Sequence, residues 1–315
     1  MPKAMAGKQQ ILISEVGPRD GLQSVSSIMP TAAKMAWIDA AASAGLREIE
    51  VGSFVPARLL PQLADTAEIV AHARTIPGLT VAVLVPNAKG AAAAIAAGAH
   101  KLTLPLSVSE THSLANLRKT HAAVIAEARA IADMIADLPT AERPHFEGSL
   151  STVFGCTLEG AIADAQIARL AEALMHAGCD EVGLSDTTGY ADPRTVRHLI
   201  ALVRGVVGRD ALTGIHLHNT RGLGLANVLA ALDCGLTTFD ASLGGLGGCP
   251  FAPGASGNIV TEDLVFMLEA MGCDTGIDLQ RLIEVRRIVA AALPDEPLYG
   301  FVAEAGLPLG WRATA

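Results

Sequence analysis

The stretch EVGLSDTTGY ADPRTVRHLI ALVRGVVGRD ALTGIHLHNT RGLGLANVLA ALDCGLTTFD A, residues 181–241, decides the fold. Within it, short β-rich apolar runs beginning near Glu181, Gly214 and Thr238 alternate with longer Ala/Leu-rich helical runs. The same alternation extends outward to runs near Phe146, Lys101, Thr80, Glu48 and Ile11. Eight such units, at a mean spacing of about 32 residues, close into one parallel barrel that hides both sheet edges. The expected fold is therefore α/β, a single (β/α)8 TIM barrel. An open doubly wound sheet is disfavoured, because the first strand runs into Gly17-Pro18-Arg19-Asp20-Gly21 where such folds carry G-x-G-x-x-G.

No Pro/Ser-rich linker interrupts the units, so one catalytic domain is expected over residues 11–278, after a frayed start at 1–10. The chain continues past the eighth strand for longer than one closing helix needs, which predicts a C-terminal extension at 279–315, helical or forming a lid. In the fourth unit an Ala/Ile-rich run predicts one long helix from about Leu114 to Leu138, followed by a polar loop from Pro139 to Pro144.

Composition excludes several function classes. Only 17% of the 315 residues are charged and the net charge is −9, with no basic cluster, which argues against a nucleic-acid partner. Apolar stretches such as Ala91 to Ala99 fall short of the roughly 18 residues a membrane span requires. Five cysteines without C-x-x-C spacing fit reduced thiols, and the first ten residues lack an apolar signal core, so a cytoplasmic location is expected. An anionic ligand must then be held locally, against the overall field.

In a parallel barrel, chemistry gathers at the C-terminal ends of the strands. Polar groups fall there: Arg19 and Asp20 after strand one, Glu50 and Ser53 on strand two, Asp186 and Thr187 on strand six, His216 and His218 on strand seven. Strand eight runs into Gly244 to Gly248, Cys249 and Asn258. Period-2 alternation puts His216 and His218 on one strand face, where they can share a metal ion. Two imidazoles with oxygen donors such as Asp20 and Asn258, and no cysteine cluster nearby, favour Mg²⁺ or Mn²⁺. Arg19 in the mouth of an acidic protein suits an oxyanion or enolate. Glu50, Asp20 and Asp186 cannot all stay ionised together without a cation or a raised pKa. Asp186 is read almost equally well as a cap on the following turn. A thiol at Cys249, in a glycine-rich loop, is placed to exchange a proton with a ligand.

Arg19-Asp20-Gly21-Leu22-Gln23, His216-x-His218 and the run GGLGGCPFAPGASGN from Gly244 to Asn258 resemble the 3-hydroxy-3-methylglutaryl-CoA lyase family over roughly Ile11 to Asp278. The resemblance implies metal ligands Asp20, His216, His218 and Asn258, and catalytic Arg19, Asp20, Glu50, Asp186 and Cys249. It further implies substrate contacts from Arg19, Gln23, Ser53 and Thr187, with a supporting role for Glu262. The implied reaction is a retro-Claisen cleavage of a 3-hydroxy-3-methylacyl-CoA, with an acyl-CoA as the small-molecule partner and a homodimer as the favoured assembly. Gly52 and Gly183 stand where the family commonly has hydroxyl residues. Their loss suggests a shorter acid, and makes citramalyl-CoA, cleaved to acetyl-CoA and pyruvate, the alternative substrate. An isopropylmalate or homocitrate synthase is less favoured, because the G-E-R-x-G-N loop is missing. A non-catalytic acyl-CoA-binding barrel is disfavoured by the intact polar set.

Overall fold

The computed structural model describes residues 8–247 and 257–311. Its strands are β1 (Leu12–Glu15), β2 (Glu48–Ser53), β3 (Thr80–Leu84), β4 (Lys101–Ser107), β5 (His145–Ser151), β6 (Glu181–Ser185), β7 (Gly214–His216) and β8 (Thr238–Ala241). They pair in parallel in chain order, and β8 pairs back onto β1, so the eight-stranded barrel closes as expected. Around it lie α1 (Thr31–Ser43), α2 (Thr66–Ala73), α3 (Ala88–Ala97), α4 (Glu110–Asn116), α5 (His121–Ala136), α6 (Asp164–His176), α7 (Pro193–Val207), α8 (Gly224–Asp233), α9 (Thr261–Ala270), α10 (Leu279–Ala292) and α11 (Phe301–Ala305). Among the described residues no helix is long and apolar enough to cross a membrane.

Local chemistry sets these elements. In α7, Asp192 accepts hydrogen bonds from the amides of Arg194 and Thr195, and Pro193 occupies the first turn, where its missing N–H costs nothing. Val196, Leu199, Ile200 and Val203 recur at helical spacing and are buried against the sheet. The single helix expected from Leu114 to Leu138 is two helices. Arg118 takes a left-handed φ of 55°, which ends the first, and Thr120 caps the amide of Ala123 to start the second.

The apolar core lies between the outer face of the sheet and the helices, around Trp37, Ile38, Val81, Leu102, Phe146 and Phe239. α10 packs against α1 and α9, filling the gap where the helical ring closes. The barrel interior, by contrast, is ionic at its N-terminal end. Lys101 Nζ on β4 lies 2.9 Å from Glu147 on β5, 3.1 Å from Glu181 on β6 and 3.6 Å from Glu48 on β2. β2 neighbours neither β5 nor β6, so these groups meet only through the lumen. Burial disfavours the Lys101 charge, but three surrounding carboxylates more than restore it and hold the amine cationic.

Lys101→Met leaves three buried carboxylates without their counter-charge, and is expected to cost about 3–5 kcal/mol of stability at neutral pH. Urea unfolding of the two proteins checks this, and the difference should shrink toward pH 4 as the carboxylates protonate.

Candidate active site

β1 ends at Glu15, and the chain then winds into a π-helical turn, Gly17–Gly21, in which the carbonyl of Val16 accepts from the amides of Arg19, Asp20 and Gly21. The turn is fixed from below by the fully buried Glu15. Its Oε1 accepts from the amides of Gly17 and Leu243, both at 2.9 Å, and its Oε2 from the Thr261 hydroxyl at 2.6 Å. Burial pushes the Glu15 carboxyl up to about 8, against the lowering effect of these donors.

Arg19 aims its guanidinium sideways across the mouth. Nη1 donates to Asp20 Oδ1 at 2.6 Å and Nε donates to Glu50 Oε2 on β2. Gln23 Nε2 donates to the same Asp20 oxygen at 2.7 Å, and Asn258 Nδ2 donates to Asp20 Oδ2 at 2.7 Å. Burial alone would raise Asp20, but the charges of Arg19, His216 and His218 and the Asn258 bond outweigh it and hold the carboxyl at about 2. Glu50 is pushed up to about 7 by burial and by Asp240 and Asp20, with Arg19 opposing.

His216 closes β7, and His218 follows it in a bridge to Asn258; the two rings lie 5.0 Å apart. Among the described residues, Asp20, His216 and His218 form a group whose ligand atoms all lie within 4.8 Å of one another. Burial and the neighbouring His216 charge lower His218 to about 4, so its ring is neutral with one lone pair to give. Burial opposes protonation of His216, yet the Asp240 acceptor raises it overall. Both ring nitrogens of His218, Glu50 Oε1, Asp186 Oδ2 and Asn258 Oδ1 are buried without a hydrogen-bond partner among the described residues. Orphaned polar atoms are costly in a folded interior, and a cation beside Asp20, His216 and His218 would take up the bare nitrogen of His218; the residues present therefore fit a hard divalent ion with nitrogen and oxygen donors.

The other expected site residues divide by location. Asp186 is seated as its cap reading expects. Its Oδ1 accepts from the amides of Tyr190 and Ala191, capping the turn, and burial lifts it to about 6 against those bonds. Ser53 is buried, its hydroxyl accepting from the amide of Val55, and the Thr187 hydroxyl accepts from the amide of Thr152; both brace loops at the mouth. Glu262 lies behind the mouth, where it accepts from the amide of Gly244 and from Arg286. Arg286 also donates to the carbonyls of Leu298 and Tyr299, tying the C-terminal segment to the start of the glycine loop. In that loop Gly247 has φ +97°, and a Cβ there would lie 2.6 Å from Asn258 Nδ2, so only glycine lets the chain pass over Asn258. Cys249 lies outside the described residues.

Two features escape the reading of strand ends. Asp240, on β8, bonds His216 Nδ1 through Oδ2 at 3.1 Å. Its signal was present in the alternation of Thr238, Asp240 and Ser242 through the strand. Gly52 does not face the mouth. A Cβ there would meet Thr66 Oγ1 of α2 at 2.4 Å, because a β-bulge between Glu50 and Gly52 turns the backbone outward. Gly183 faces the lumen, but a Cβ would lie 2.3 Å from Glu147 Oε1, so that volume is already taken by a carboxylate. Gly52 therefore carries no argument for a shorter acid, and a hydroxyl at Gly183 is excluded until Glu147 moves.

The HMGL-like family model matches residues 10–289. Mitochondrial hydroxymethylglutaryl-CoA lyase of Macaca fascicularis is 41% identical over 285 residues, covering 90% of this chain and 86% of the relative. An HMG-CoA lyase from Acinetobacter baumannii, solved with coenzyme A and 3-methylmalate, superposes with a TM-score of 0.88 at 41% identity, covering 96% of this chain and 97% of the other. The HMG-CoA lyase of Bacillus subtilis gives 0.89 at 35% identity, covering 96% and 99%.

Gly52→Thr is expected to cost about 1–3 kcal/mol through overpacking against Thr66, while leaving ligand preference unchanged. Thermal melts, set beside the ratio of kcat/KM values for two competing substrates, check both halves of that expectation.

Proposed function

The chain belongs to the HMGL-like family, and on that premise we propose that it is a divalent-metal-dependent carbon–carbon lyase cleaving 3-hydroxy-3-methylglutaryl-CoA to acetyl-CoA and acetoacetate. The observation that carries this reading is the convergence, at one barrel mouth, of an Arg19–Asp20–Glu50 charge network with orphaned donor atoms of His218 and Asn258. The A. baumannii relative bound to coenzyme A and 3-methylmalate supports a CoA thioester of a branched hydroxy acid as substrate.

Asp20, His216, His218 and Asn258 would hold the cation, with Mg²⁺ or Mn²⁺ favoured by a donor set without sulfur. When bound, such an ion supplies Lewis acidity toward the oxygens of the substrate. The protein supplies the proton traffic and the charge stabilisation. A carboxylate removes the proton of the tertiary hydroxyl, and the two buried carboxylates with an unpartnered oxygen are Glu50 and Asp186. Their pKa values, about 7 and about 6, match a base working near neutrality. As the new carbonyl forms, the bond between the second and third acyl carbons breaks and its electron pair passes into the thioester enolate. Arg19, held flat by Asp20 and Glu50, faces that developing charge without reorganising. Protonation of the enolate carbon, assigned to Cys249 or to a water relayed through the carboxylates, gives acetyl-CoA. The proton removed and the proton delivered balance. Gln23 serves by steering Asp20, Ser53 and Thr187 by fixing the loops that meet the acyl group, and Glu262 by anchoring the turn that precedes Cys249.

Purified protein supplied with Mg²⁺ and, separately, 3-hydroxy-3-methylglutaryl-CoA and citramalyl-CoA tests the assignment. Acetoacetate as the preferred product is expected, and pyruvate in its place would overturn the acyl assignment. Dialysis against chelator should abolish turnover, and Mg²⁺ or Mn²⁺ should restore it. Arg19→Gln should lower kcat by about a hundredfold or more with little change in KM, the signature of an interaction made as charge develops. A change confined to KM would instead make Arg19 a binding residue.

A further inference from the structure

We propose that Asp240 is a positioning residue for the cation site: its carboxylate accepts the Nδ1 proton of His216, fixing the tautomer and plane of that ring so that Nε2 is the nitrogen left with a lone pair. This rests on the metal-site reading above and assigns a role to a residue outside the ligand set.

The contact is built into the barrel rather than carried by a loop. His216 and Asp240 are directly paired across the β7–β8 ladder, and Nδ1 lies 3.1 Å from Oδ2. On a strand, alternation fixes which face Asp240 presents, so the acceptor cannot drift from the ring without breaking the ladder. A neutral imidazole has one protonated nitrogen and one bare nitrogen, and whichever nitrogen donates a hydrogen bond decides which is free to bind a metal. A carboxylate facing that nitrogen is its acceptor. The asymmetry with His218 sharpens the point, since neither ring nitrogen of His218 has a hydrogen-bond partner. The carboxylate nearest His218, Asp20, stands 3.9 Å from its Nε2, whereas Asp240 holds His216 at 3.1 Å, so His216 supplies the fixed edge of the site.

The test is Mn²⁺ binding by the full chain without substrate, followed by the free-ion paramagnetic resonance signal. Wild type, Asp240→Asn, Asp240→Glu and His216→Ala are compared, with circular dichroism and melting confirming the fold. An amide at 240 can present its NH2 group and stabilise the wrong tautomer, so Asp240→Asn is expected to weaken Mn²⁺ by 10- to 100-fold, and Asp240→Glu, which keeps the acceptor, by less. Long-range proton–nitrogen spectra of metal-free wild type should show His216 protonated at Nδ1, and of Asp240→Asn a shift toward Nε2. Affinity within twofold in Asp240→Asn while His216→Ala loses the ion would overturn the positioning role alone. Normal binding in His216→Ala would overturn the metal-site reading and this proposal with it. Where Asp240→Asn does not fold, a neutral wild-type His216 protonated at Nε2 and bare at Nδ1, recorded at a pH above its titration, is by itself enough to reject the idea.

Discussion

Burying the Glu15 carboxyl beneath the mouth of the barrel is costly unless its oxygens are satisfied, and the groups that satisfy them come from three separate segments. Gly17 opens the turn carrying Arg19 and Asp20, Leu243 begins the turn leading into the glycine loop, and Thr261 starts the helix that follows Asn258. One carboxyl thus sets the relative positions of Arg19, Asp20 and Asn258. Glu262 repeats the device one layer further out, taking the amide of Gly244 while Arg286 draws in the C-terminal segment. The geometry of the mouth is held by buried polar groups behind it.

The mouth itself is electrostatically unfinished. Glu50, Asp20, Asp186 and Asp240 crowd around Arg19 and two imidazoles, and the pKa values spread apart in response, from about 2 at Asp20 to about 7 at Glu50. That separation is what acid–base work requires: one carboxylate permanently ionised to hold a cation and others poised to exchange protons. Further down the lumen Lys101 offsets part of the charge of the three glutamates around it. The barrel interior is therefore charged at both ends, with its apolar packing confined to the sheet–helix interface.

The sequence was most legible where periodicity is strict. The strand starts fall within a residue or so of the expected positions, because buried parallel strands read as apolar runs bounded by turns. His216-x-His218 was recoverable because a strand alternates with a period of two. Failures came where local backbone detail intervened. A bulge between Glu50 and Gly52 shifted the alternation, so Gly52 looked like a lining residue and in fact abuts Thr66. The left-handed residue at Arg118 divided a helix that composition alone would continue. Asp240 takes its importance from its cross-strand partner His216, which no linear pattern displays. The roles of Ser53 and Thr187 depend on single hydrogen bonds to backbone amides and could not be read from residue type.

The charged lumen bears on how the protein responds to temperature. Unfolding an ordinary apolar-filled barrel hydrates hydrocarbon and raises the heat capacity, whereas exposing carboxylates and amines lowers it. Lys101, Glu48, Glu147 and Glu181 therefore subtract from the heat-capacity increment that a chain of this size would otherwise show. The desolvation penalty of such ions also weakens on warming. Both effects flatten the stability curve and lend the barrel resistance at the warm end of its range, at the expense of a lower maximum.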